Sequence, residues 1–136
     1  MGTRSEIIIK DYWTGETNGR NYKKEIKLYH HFDGYPSGVG RFLMENIYPM
    51  LVSSNDMDCN RIANALVKSK EDETYEITVY NHVDIEYRYI IDIPAKQIHC
   101  YEGHYSSWDS PNTRFIKTKE EDLNIFLPEN MSKSYA

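Results

Sequence analysis

The segment Tyr29-His30-His31-Phe32-Asp33-Gly34-Tyr35-Pro36-Ser37-Gly38-Val39-Gly40-Arg41 gathers two histidines, a carboxylate, a guanidinium and three glycines in thirteen residues. Two chemistries follow from these residue types. In the first, amides at a helix N-terminus hold a phosphate or carboxylate: Gly34, Gly38 and Gly40 let it approach the backbone, Ser37 caps the helix, and Arg41 adds a cation in the first turn. In the second, the His31 imidazole, oriented by Asp33, is a general base acting on a phosphodiester beside Arg41. The same residues also make a rigid strand-to-helix turn in which Asp33 bonds local amides and Tyr35 covers the edge of the core.

A second cluster comprises His99, Tyr101, His104, Tyr105 and Trp108. Such aromatics stack a nucleobase, anchor a protein partner, or plug the core beneath a loop. Tyr12 and Trp13, near the first loop, offer the same three uses.

Other chemistries lack their residues. The glycine segment has neither the Gly-Lys-Ser/Thr ending of a phosphate-binding loop nor the Gly-x-Gly-x-x-Gly dinucleotide spacing. Ser37 has no nucleophile-elbow context, and Cys59 and Cys100 have neither a CxxC partner nor a histidine at zinc-ligand spacing. His31-x-Asp33 and His82-x-Asp84 would need further ligands to converge before they held a metal. The expectation is no metal and no cofactor.

These side chains must be placed by a small set of elements. Glu6–Lys10 reads as a strand, residues 14–20 as a turn centred on Asn18-Gly19, and Lys23–Phe32 as a second strand. Alternation along it sends His30 and His31 to opposite faces and puts His31 with Asp33 on one face. After Gly40 the period becomes helical through Leu51, interrupted at Tyr48-Pro49, and a second helix capped by Asn55 or Asp56 carries Cys59, Ile62, Ala63, Leu66 and Val67 inward. Tyr75–Tyr80, Asp84–Ile93 and Gln97–Glu102 alternate as strands and read as an antiparallel meander. A loop at 103–112, an edge strand at 113–117, a short helix from Thr118 and a polar tail from about 129 complete the chain. Strands and helices are segregated, so the expected class is α+β: one domain over 1–136, with a single antiparallel sheet and helices mainly on one face.

Composition restricts the partners. The 136 residues carry a net charge of −5, which disfavours binding to duplex nucleic acid. The 12 tyrosines suit half-buried strands and binding surfaces alike, and a homo-oligomer through an exposed tyrosine-rich sheet fits them. No apolar run is long enough to span a membrane and no signal-peptide core is present, so the expected location is cytoplasmic.

The motif Tyr-x-His-x-Asp-Gly-Tyr-Pro followed by Gly-x-Gly, here Tyr29 to Pro36 and Gly38 to Gly40, resembles a segment recurring in small accessory proteins of bacteria and their phages. His31 matches the histidine two residues before the aspartate. The resemblance covers about a tenth of the chain and implies a phage or bacterial accessory protein, in the host cytoplasm if phage-encoded, with no activity to carry over.

Three functions are therefore expected in order. The first is an anti-defence protein that sequesters a small anionic, nucleotide-like ligand at loop 33–41 beneath aromatics from 99–108. The second is an inhibitor of a host defence protein, such as an anti-CRISPR, acting through an acidic, tyrosine-rich surface. The third is a small phosphodiesterase using His31 and Asp33.

Overall fold

The computed structural model describes residues 3–68, 75–79, 85–104, 114–117 and 123. Ser5–Thr14 (β1) and Asn21–His30 (β2) form an antiparallel hairpin paired over its full length. Gly19 closes the connecting loop with φ +67°, and its amide donates to the Gly15 carbonyl. Two π-helical turns, Pro36–Gly40 and Leu43–Ile47, lead into the short helix Tyr48–Ser53 (α1), followed by Cys59–Val67 (α2). Tyr75–Ile77 (β3), Tyr87–Asp92 (β4), Gln97–His104 (β5) and Arg114–Lys117 (β6) complete a six-stranded sheet of order β3-β2-β1-β4-β5-β6.

The fold is α+β with one sheet. The sheet is mixed: β4 lies parallel to β1, with Ile7 opposite Tyr89 and Ile9 opposite Ile91, and the other pairs are antiparallel. The expected meander of the three later strands is therefore corrected. β3 pairs with β2 at one edge, and β4 inserts on the far side of β1. Apolar content explains the sorting. The runs Ile7-Ile8-Ile9 and Tyr89-Ile90-Ile91 suit a sheet centre, whereas β3 leaves Ile77 60% exposed and belongs at an edge.

One sheet face is dry. Ile7, Ile9, Leu28, Tyr89, Ile91 and Cys100 share it by register and pack beneath Val39, Leu43, Ile47, Leu51, Ile62 and Leu66. Asp58 caps α2 by accepting from the Arg61 amide at 3.0 Å, in place of the expected Asn55 or Asp56. The expected interruption at Tyr48-Pro49 falls where the second π-helical turn ends and α1 begins, with Pro49 in the first turn of α1, where a missing amide costs nothing. Ser37 is not an N-cap either: that position is Tyr35, and Pro36 occupies the first turn.

The hairpin outruns its neighbours. β4 flanks β1 only from Ser5 to Lys10, and β3 flanks β2 only from Leu28 to His30. The pairs Asp11–Lys24, Tyr12–Lys23, Trp13–Tyr22 and Thr14–Asn21 thus form an arm beyond the strands that flank it.

Candidate functional site

Loop 33–41 is folded upon itself. β2 ends at His30, and Asp33 adopts φ +52°, a left-handed conformation that aspartate tolerates better than most residues. Asp33 therefore leaves the strand register and does not share a strand face with His31, as the alternation had predicted. The reversal turns four of the local amides inward. Gly34 N–H donates to the Thr3 carbonyl, Gly38 N–H to Tyr35, Val39 N–H to Asp33, and Arg41 N–H to Pro36 and Gly38. The Tyr89 hydroxyl donates to the Gly34 carbonyl at 2.6 Å and lies beside Gly40. Burial pushes the Tyr89 phenol well above its ordinary pKa, so it stays protonated and able to donate.

Side chains of the loop are paired locally or exposed, and its outer rim is aromatic and acidic. Arg41 Nε donates to Glu45 Oε1 at 2.8 Å, a pairing one helical turn apart. Ser37 is exposed, and Gly38 lies so close to the Asp33 carbonyl that a Cβ there would sit 2.1 Å from the oxygen. Phe32 is 53% and Tyr35 40% exposed, and the Tyr35 hydroxyl donates at 3.0 Å to Asp33 Oδ1 at the surface.

His31 belongs to the opposite side of the sheet from Arg41. Its ring meets Tyr29 edge-on at 4.5 Å, and its Nε2 lies 3.8 Å from Glu76 Oε2. Tyr29 is part of a row crossing the face that α2 does not cover: Glu76, Tyr29, Glu6, Arg88 and Tyr101 are successive register partners from β3 to β5. Arg88 Nε donates to Glu6 Oε1, and Glu6 is buried. A carboxylate in the strand register just before an isoleucine run is the sequence signal for this row, which the sequence reading did not find. His30 faces the dry side, buried and stacked on Tyr75 at 4.2 Å.

Tyr101 shares the face of His31, as does His99, whose Nε2 lies 3.1 Å from Gln97 Oε1. β2 and β5 are three strand spacings apart, about 14 Å. Of the first predicted cluster only His31 shares a face with His99 and Tyr101, at that separation, and Arg41 lies on the other side of the sheet. His104 lies on β5 rather than in a loop, and Tyr105 and Trp108 lie outside the described residues. No group of three metal-ligating side chains converges among the described residues. Cys59 and Cys100 are buried free thiols. Cys59 Sγ points at the Ile9 and Lys24 carbonyls, and burial with nearby Asp11 pushes its pKa up to about 11, the opposite of nucleophile activation. No helix among the described residues is long and apolar enough to cross a membrane.

Comparison of the chain with protein-family models, with curated proteins and with solved structures finds no match.

Proposed function

We propose that this protein is an interaction module that docks the 31–35 turn onto a basic surface of a partner protein. The observation that carries the reading is the polarity of that turn. The Gly34, Gly38, Val39 and Arg41 amides bond within the protein and the Arg41 guanidinium is paired with Glu45, while the Asp33 carboxylate and the rings of Phe32 and Tyr35 face outward. An acceptor flanked by aromatic faces suits a guanidinium or ammonium group, which gains both an ion pair and a cation–π contact. It does not suit a phosphate. In the phage or bacterial setting that the motif implies, such a partner is a nucleic-acid-binding defence enzyme, whose own basic groove the net charge of −5 complements.

The test is a titration of the folded protein with an arginine-rich peptide and, separately, a nucleotide panel, read by calorimetry. Peptide binding that Asp33→Asn weakens by about tenfold supports the reading, because asparagine keeps the left-handed turn and removes only the charge. Nucleotide binding that Arg41→Ala abolishes would instead restore the sequestration of a small anionic ligand.

A further inference from the structure

The hairpin arm has a character opposite to the rest of the chain. Between Asp11 and Lys24 stand three basic residues, Arg20, Lys23 and Lys24, against two acidic ones, Asp11 and Glu16, in a protein of net charge −5, and Lys10 and Lys27 flank its base. Glu25, also at the base, lies 3.4 Å from Lys23 and 3.9 Å from Lys10. At the arm's distal end Trp13 and Tyr22 are cross-strand partners with ring centroids 5.5 Å apart and planes 14° apart. They are 47% and 38% exposed, and Tyr12 projects from the other face at 48%. Burial does not account for them, since the strands that flank the hairpin end before this point.

We propose that this arm is a binding site for single-stranded nucleic acid. A stacked indole and phenol, each more than a third exposed, can extend their stack by one nucleobase on the Trp13 side, at a gain independent of base identity, while Asn18 Nδ2 donates to the Tyr22 hydroxyl at 2.8 Å and holds that ring in place. Arg20 and Lys23, within two residues of Tyr22, supply cations for the adjoining phosphates. Duplex bases are already stacked and cannot join the platform, while the charge of the whole chain opposes the long phosphate tracks that a duplex presents. Charge complementarity alone would also admit an acidic protein, but flat stacked rings at the tip favour a ligand that has planar faces as well as negative charge. The inference is independent of the reading of the 31–35 turn.

Fluorescence anisotropy of end-labelled dT12 and rU12 tests it, with a 12-base-pair duplex and labelled poly-glutamate as comparators. Both single strands are expected to bind more tightly than either comparator, and to weaken about fivefold to twentyfold between 50 and 200 mM salt for two or three phosphate contacts. Should both bind, dU12 against rU12, which share a base, identifies which sugar the site accepts. Trp13→Ala and Tyr22→Ala are each expected to weaken binding about tenfold, and Lys23→Glu to reduce the salt dependence. Asp33→Asn is expected to leave oligonucleotide affinity unchanged. Should Trp13→Ala fail to fold, Tyr22→Ala and Lys23→Glu carry the test. Equal binding of poly-glutamate or of the duplex, undiminished binding by folded Trp13→Ala or Tyr22→Ala, or no binding of either single strand at 50 mM salt would overturn the proposal.

Discussion

The Tyr89 hydroxyl, on β4, reaches into the glycine turn: it donates to the Gly34 carbonyl at 2.6 Å and lies beside Gly40. One phenol thus ties the most distinctive segment to the centre of the sheet. Tyr89→Phe leaves the buried Gly34 carbonyl without that partner and is expected to cost about 1–3 kcal/mol of unfolding free energy in urea titration.

Gly38 and Gly40 should respond differently to alanine. The new Cβ at 38 would lie 2.1 Å from the Asp33 carbonyl oxygen, a backbone atom that cannot yield without opening the turn. At 40 it would meet Leu123 Cδ2 at 2.7 Å, the end of a side chain that can rotate. Gly38→Ala is expected to lose about 3 kcal/mol and Gly40→Ala about 1 kcal/mol, compared by their urea midpoints.

The Glu6–Arg88 pair predicts an asymmetry between single and double substitution. Glu6 has 2% side-chain exposure and Arg88 32%, so removing the guanidinium strands a carboxylate inside the fold. Arg88→Ala is expected to destabilise by about 3 kcal/mol, the low end for a broken buried pair because Arg88 reaches water. The double variant Glu6→Leu, Arg88→Met should recover most of that loss, which a double-mutant cycle measures directly.

Cys59 sets an alkaline limit. Its thiol has an ordinary pKa of 9.0, and burial with Asp11 raises it to about 11 in the fold. Below pH 9 both states keep the proton and stability is unaffected by this group. From pH 9 to 11 the unfolded chain loses its proton first, so stability falls as pH rises. Cys59→Ala should flatten that part of the stability profile, and native Cys59 should resist alkylation at pH 8 until the protein is unfolded.

Much of the fold is legible in the residues. Alternation along β2 separates His30 from His31, and the inward faces of α2 and β4 read directly from their periods. Pairing order is less legible. Nothing local in Tyr75-Glu76-Ile77 says that it joins β2, because that choice is made by competition for the two sides of β1. The use of the turn's amides is hard to read from sequence for a related reason. A Gly/Pro/Asp turn has donors whether it binds an anion or bonds itself, and only the distant Tyr89 hydroxyl and Thr3 carbonyl decide which. The row Glu76–Tyr29–Glu6–Arg88–Tyr101 was hidden because each member comes from a different strand.

The parallel seam between β1 and β4 has a bearing on synthesis. The first hairpin leaves the ribosome early, yet the inner flank of Ile7-Ile8-Ile9 waits for Tyr89-Ile90-Ile91, some eighty residues later. Through that interval a nascent chain carries an open, isoleucine-rich rim, the kind of surface that chaperones shield and that aggregates when crowded. Slowed translation ahead of residue 87 should therefore lower the soluble yield more than an equal pause after residue 92.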